Sequence, residues 1–206
     1  MHLVINVGHD GSISVTERIR FHAYSQHFKN FTRKVAWQAR IRDDASTITT
    51  ISKPEHVVDS FQRPSFDGIE QKEGGDFYWV RWGFWLNEPL KVGEEIIVES
   101  HYETEPGGTK HGLGETDNIT TRTSKAPVAS FILDVHPAVG APFVFMSAEG
   151  HAEVSDSEHV NSREADRIIS SGSSDGGYRF TLPYPQMGAI YKFSWCIMEP
   201  PKALPA

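Results

Sequence analysis

An unusually aromatic segment, residues 77–86, carries residue types that are well suited to recognition. Alternation along a strand would place Phe77, Trp79, Arg81, Gly83 and Trp85 on one side, and Tyr78, Val80, Trp82, Phe84 and Leu86 on the other. The second of these sides belongs to a core. If the first is open, it could stack on a sugar ring, a base or a partner side chain. If loops or the N-terminal segment cover it, the same residues are structural.

A polar, glycine-rich stretch follows at residues 105–125. Long loops on a rigid scaffold are frequent sites of recognition. We therefore expect Lys110 and His111, which lie in this stretch, to bind a ligand or partner together with Trp79, Arg81 and Trp85.

A second group of residues could bind a metal. In the sequence Glu99-Ser-His101-Tyr-Glu103, alternation places the imidazole and both carboxylates on one strand face. Such side chains can bind a divalent ion, and a carboxylate beside a histidine can support acid–base chemistry. The alternative is an ordinary solvated strand face, because this spacing matches no established metal motif.

The segment Gly172-Ser-Ser174-Asp-Gly176 formally fits the pattern of a hydrolase nucleophile elbow. That elbow requires a buried strand before the serine and a helix after it. A polar serine-rich stretch precedes the segment here, and a strand pattern follows, so it is interpreted as a flexible turn. The sequence contains no phosphate-binding loop, no dinucleotide fingerprint and no H-E-x-x-H pair, and no cofactor is predicted.

The segments that must position these residues show a hydrophobic pattern that repeats every two residues, which predicts β-strands. Alternating apolar and polar residues recur from Leu3 to Ile197, and helical periods do not alternate with them. Residues 34–42 are predicted to form a hairpin with 46–52, and residues 76–86 a hairpin with 94–104. Residues 105–125 and 155–177 are predicted to be long polar loops.

These patterns predict an all-β fold, specifically a two-sheet antiparallel β-sandwich that is immunoglobulin-like in the broad sense. At most one or two short helices are expected. Residues 1–199 are predicted to form a single domain, and residues 200–206 a proline-containing tail.

The composition restricts the cellular location and the kinds of binding partner that we expect. The 206 residues include one cysteine, Cys196, and begin without the pattern of a signal peptide, which favours a reducing, cytoplasmic location. No apolar run is long enough to cross a membrane. The net charge of −7 disfavours nucleic-acid binding, although the first 42 residues carry +5. The sequence is compatible with a homo-oligomer.

The function predicted from the sequence is a non-catalytic β-sandwich module that binds a partner protein or a small ligand, as in a sensor or regulatory subunit. One alternative is a metal-assisted hydrolytic enzyme that uses Glu99, His101 and Glu103. Another is a carbohydrate-binding module that uses Trp79 and Trp85.

Overall fold

The computed structural model describes most of the chain. The residues that it does not describe are 9, 25–26, 38–39, 43, 45–46, 51, 66–77, 107–115, 123–127, 138–142, 153–167, 173–176, 186–188 and 198–206. The side chains of some strand residues, Trp79 among them, also lie outside the description.

The described residues are mostly strand, with a 3-10 turn at Pro54–His56 and no α-helix. The predicted all-β class is therefore confirmed. The strands are β1 (His2–Val7), β2 (Ile13–His22), β3 (Asn30–Trp37), β4 (Thr47–Thr50), β5 (Val57–Ser65), β6 (Tyr78–Leu86), β7 (Glu95–Glu103), β8 (Thr116–Arg122), β9 (Ser130–His136), β10 (Phe143–Ala152), β11 (Ile169–Gly172), β12 (Tyr178–Pro183) and β13 (Ala189–Ile197).

The chain separates into two compact units. Unit 1 comprises Met1–His9 and His111–Ala206, and unit 2 comprises Asp10–Lys110. The expectation of one domain over residues 1–199 stays a prediction.

Unit 2 contains two groups of antiparallel strands. β2, β7 and β4 lie side by side in the order β2-β7-β4, and a separate three-stranded sheet has the order β3-β6-β5. β6 is the central strand of the latter sheet. Its many aromatic residues favour a strand. A turn leads into β7, closed by a hydrogen bond from the Glu94 amide to the Lys91 carbonyl. Gly93 has φ +85 in this turn, a conformation that favours glycine.

The two strand groups of unit 2 contact each other through apolar side chains. The Phe21 ring on β2 lies 4.6 Å from the Phe31 ring on β3 and 5.4 Å from the Phe84 ring on β6, centroid to centroid. Trp82 and Phe84 are fully buried, and Leu86 nearly so. Burying a side chain of this size contributes about 1.5–3 kcal/mol, so these residues supply much of the stability of unit 2.

A buried ion pair interrupts this apolar layer. Glu17 occupies an inward position of β2 between Val15 and Ile19 and is completely buried. Arg33 Nε on β3 lies 2.5 Å from Glu17 Oε1, and the Trp82 indole N–H donates to Glu17 Oε2 at 3.0 Å. Both carboxylate oxygens are thus engaged by groups of the facing sheet, which compensates the cost of burying the charge.

Unit 1 has strands in the order β11-β12-β9-β1 and a three-stranded antiparallel sheet in the order β10-β13-β8. Phe193 on β13 lies 5.7 Å from Phe131 on β9 and 5.3 Å from Phe180 on β12, centroid to centroid. β1 pairs with β9 in parallel, residue Leu3 beside Leu133. The expectation of a purely antiparallel arrangement is wrong at this point, since the chain runs in the same direction along both strands and no tight turn has to connect them.

The predicted hairpins are also wrong. β6 pairs with β3 and β5, and β7 pairs with β2 and β4, so the two consecutive strands are not partners. β4 pairs with β7 rather than with the segment before it. The predicted polar loops contain strands: β8 lies within 105–125, and β11 within 155–177. Among the described residues, no helix is long and apolar enough to span a membrane.

The buried ion pair leads to a prediction about stability. Glu17→Gln removes the buried carboxylate charge that Arg33 contacts, and we expect it to lower the free energy of unfolding by about 3 kcal/mol. Urea denaturation measures this difference. Glu99→Gln is the control, because Glu99 lies on the half-exposed side of β7. Equal stability of the two variants would show that the ion pair has no structural role.

Candidate functional site

The central strand β6 separates its residues cleanly between two faces. Trp82, Phe84 and Leu86 point into the core of unit 2. Arg81, Gly83 and Trp85 alternate with them and belong to the other face of the β3-β6-β5 sheet. We call this the Arg81 face. By strand register it consists of Asn30, Thr32, Lys34 and Ala36 of β3; Trp79, Arg81, Gly83 and Trp85 of β6; and Asp59, Phe61, Arg63 and Ser65 of β5.

The Arg81 face is open at most of its described positions. Arg81 is exposed, and 39% of the surface of Trp85 is accessible. Asn30 and Asp59, which flank Trp85 in register, are exposed as well. Of the two sequence-based alternatives for this face, an open surface therefore describes these residues better than a covered one.

The strand register places three basic residues in one row across the sheet, although the side chains of two of them, Lys34 and Arg63, lie outside the described residues. Lys34 of β3 lies opposite Arg81, and Arg63 of β5 lies opposite Arg81 on the other side. Neighbouring strands are about 4.8 Å apart, so the row is short. Sequence reasoning identified Arg81 but missed the row, since residues 34, 63 and 81 meet only when their strands pair.

The remaining residues of the predicted binding site are described only in part. The backbone of Trp79 belongs to β6, opposite Ala36 and Ser65, but its side chain lies outside the described residues. Lys110 and His111 lie outside the described residues altogether. Their predicted role in binding stays a prediction.

The residues predicted to bind a metal share the half-exposed face of β7. His101 Nδ1 lies 3.1 Å from Thr16 Oγ1, and His101 Nε2 lies 3.6 Å from Glu103 Oε1. Arg42 donates to Glu103 Oε2 at 3.2 Å. Glu99 lies in register between Arg18 and Thr49. The imidazole and the Glu103 carboxylate thus contact neighbours typical of a hydrogen-bonded strand face.

Within the part of the chain that the structure describes, no group of three or more His, Cys, Asp or Glu residues could hold a metal ion. Ser174, the serine of the elbow-like segment, lies outside that part.

An open cleft of 360 Å³ is lined by Arg40, Ile41, Arg42, Asp44, Glu105 and Pro106. Arg42 donates to both Asp44 oxygens at 3.0 and 3.2 Å, and Arg40 Nε lies 3.6 Å from Glu105 Oε1. The hydrogen bond from Arg42 and its charge hold the pKa of Asp44 below the ordinary value. Because acids accompany both arginines, the cleft has no strong preference for an anion.

A third polar cluster, absent from the sequence-based expectations, lies in unit 1. Asp134 of β9 is buried, and Arg179 of β12 donates to its two carboxylate oxygens at 2.6 and 2.7 Å. His2 Nε2 lies 2.7 Å from Asp134 Oδ2. The sequence signal was an aspartate inside the apolar run of β9, at a position where strands rarely carry an unpaired charge.

The pKa of Asp134 reflects these contacts. Burial by itself raises the pKa, but hydrogen bonds from Arg179 and His2, together with their charges, outweigh it and hold the pKa below its ordinary value. The cluster therefore stabilises the ionised carboxylate and joins three strands of unit 1.

No family model matches the sequence, and no curated protein is similar to it. Among solved structures, the chain is similar to a crystal structure of a "putative protease" from Parabacteroides distasonis ATCC 8503. The sequences are 12% identical and the TM-score is 0.45. The match covers 95% of this chain but only 39% of that protein. We base no functional argument on this similarity.

The Asp134 cluster gives a prediction for acid stability. A carboxyl group whose pKa is lowered by folding stabilises the folded state above its unfolded pKa of about 3.9, and this contribution is lost as the pH falls through the folded pKa. We therefore expect Asp134→Asn to unfold at lower urea concentration than wild type at pH 7. The difference between the urea concentrations at which the two proteins unfold should narrow below about pH 4.

The exposed Asp59 provides the matched control, because Asp59→Asn removes the same charge from an exposed position instead of a buried one. A gap between wild type and Asp134→Asn that stays constant from neutral to acidic pH would contradict the assigned role of the ionised carboxylate.

Proposed function

We propose that the protein is a non-catalytic binding module of β-sandwich type, immunoglobulin-like in the broad sense, and that its recognition surface is the Arg81 face. In this proposal it binds a partner protein or a small ligand, as a sensor or regulatory subunit does. Its single cysteine, Cys196, fits a reducing, cytoplasmic setting.

The observation that carries the proposal is the exposure of a guanidinium and an indole on one rigid sheet face. Arg81 and Trp85 are four residues apart on β6, which corresponds to about 13 Å along the strand. Arginine and tryptophan are the residue types most enriched among the residues that dominate binding energy. β6 is paired on both sides, so these side chains project from a backbone that is held in place before a partner arrives.

The packing beneath the face supports the same interpretation. Trp82 and Phe84 fill the core directly behind Arg81 and Trp85. Arg81 is exposed and lies outside this core. The exposed surfaces of Arg81 and Trp85 are therefore accessible to a partner on the side of the sheet away from that core.

A carbohydrate-binding module is the second candidate, because an exposed indole can stack on a sugar ring. The exposed indole of Trp85 is the observation that supports this candidate.

The proposal is tested by comparing what the immobilised protein retains from a native lysate of its source cells. We expect at least one retained protein or small molecule to fall about tenfold with Arg81→Ala and with Trp85→Ala, which corresponds to a loss of about 1.4 kcal/mol. Quantitative mass spectrometry measures the retained material, and circular dichroism checks that each variant is folded.

Arg20→Ala is the matched control, because Arg20 is an exposed arginine of β2 outside the Arg81 face. If everything that wild type retains is kept equally by Arg81→Ala and Trp85→Ala, the Arg81 face is not the recognition surface.

A further inference from the structure

We infer that the side chains of His2, Ser171 and Arg179 in unit 1 bind the phosphoryl group of a small ligand. This inference does not depend on the Arg81 face and adds a second binding site to the proposed module. It starts from the buried carboxylate of Asp134, which contacts His2 and Arg179 at the same time.

Asp134 fixes the orientation of the Arg179 guanidinium. Arg179 Nε and Nη2 donate to Oδ1 and Oδ2 of Asp134 at 2.6 and 2.7 Å. A guanidinium has five N–H donors, so three remain beyond this pair, and they include the fork formed by Nη1 and Nη2. Within the part of the chain that the structure describes, Arg179 makes no other hydrogen bond. A planar fork of this kind binds a phosphoryl or carboxylate group through two oxygens.

Two further polar side chains lie beside Arg179. His2 Nε2 lies 2.7 Å from Asp134 Oδ2, the oxygen that Arg179 Nη2 also contacts. Ser171 of β11 lies directly opposite Arg179 in the register, where Cβ atoms are about 4.5–5.5 Å apart. Among the described residues, no group hydrogen-bonds to His2 Nδ1 or to the Ser171 hydroxyl. Both are therefore available to a ligand that the Arg179 fork holds.

Exposure distinguishes this cluster from the buried ion pair of unit 2. The exposed fraction of the side chain is 54% for Arg179 and 35% for His2, but 6% for Asp134. In the Glu17 pair, by contrast, the Arg33 side chain is only 16% exposed. A buried carboxylate that holds two accessible side chains in place is the arrangement by which binding sites support the residues that contact the ligand.

The number of polar groups favours a phosphoryl group over a carboxylate. A carboxylate has two oxygens, which the Arg179 fork alone can occupy, whereas a phosphoryl group has three. The third oxygen can accept from Ser171. His2 Nδ1 can donate to the ligand when the imidazole is charged, and it can accept from a P–O–H group when the imidazole is neutral. The Asp134 carboxylate is buried, and both of its oxygens already accept from Arg179, which limits its repulsion of the ligand.

The test titrates the full chain with inorganic phosphate and follows the Arg179 Nε–H and His2 imidazole signals by NMR, with chloride at equal ionic strength as the reference. We expect saturable shifts below about 10 mM phosphate. Ser171→Ala should weaken binding about fivefold, because it removes a hydrogen bond to a charged ligand. Ser170→Ala is the matched control and should leave the affinity unchanged, because Ser170 lies opposite Phe180 on the other face of β11.

Arg179→Lys keeps a positive charge beside Asp134 but removes the fork, and we expect it to weaken phosphate binding at least about tenfold. Thermal melts show whether each variant is folded. If Arg179→Lys does not fold, Ser171→Ala decides, since it leaves the contacts of Asp134 intact. O-phospho-L-serine distinguishes the source of the group: tighter binding than that of inorganic phosphate indicates a phosphomonoester, and weaker binding indicates free phosphate.

Three results would overturn the inference. Phosphate and chloride could cause equal shifts, Ser170→Ala and Ser171→Ala could weaken binding equally, or acetate could bind more tightly than phosphate. None of these measurements involves the Arg81 face, so a loss of lysate partners in Arg81→Ala would still support the proposed function. The two failures are therefore distinguishable.

Discussion

The architecture of unit 2 depends on one interaction, the contact of the buried Glu17 carboxylate with Arg33 and the Trp82 indole. An unpaired charge at a fully buried position would cost several kcal/mol, so β2 and the β3-β6-β5 sheet must meet in the alignment that pairs it. That alignment turns Trp82 inward. Because side chains alternate along a strand, Arg81 and Trp85 then belong to the opposite face. A register slip of one residue would bury the guanidinium and expose Trp82.

Alternation along single strands could be predicted from the sequence, and pairing between strands could not. The faces of β6 and β7 follow the predicted alternation, with Trp82, Val98 and Tyr102 buried. The reason is that a period of two is a property of consecutive residues. Which strand lies beside β6 depends on contacts across the core, such as that of Phe21 with Phe84. The sequence carries no local trace of these contacts.

The candidate site shows the same division. Arg81 and Trp85 were identifiable from their residue types, but the row that Lys34 and Arg63 form with Arg81 arises only from pairing. Glu17 and Asp134 were detectable in principle, as acids at core positions of apolar strands. Their partners were not, since His2 and Asp134 are 132 residues apart in the chain. A strand pattern predicts that a buried acid needs a partner and leaves the partner undetermined.

The proposed recognition surface is the Arg81 face and no other part of unit 2. Site-specific photocrosslinking tests it most directly, with the crosslinker at Thr32, an exposed residue of that face opposite Gly83. Thr47, an exposed residue of β4 outside that face, is the comparison site. We expect a crosslinker at Thr32 to capture the bound partner in cells and one at Thr47 not to capture it. Capture from Thr47 with none from Thr32 would contradict it.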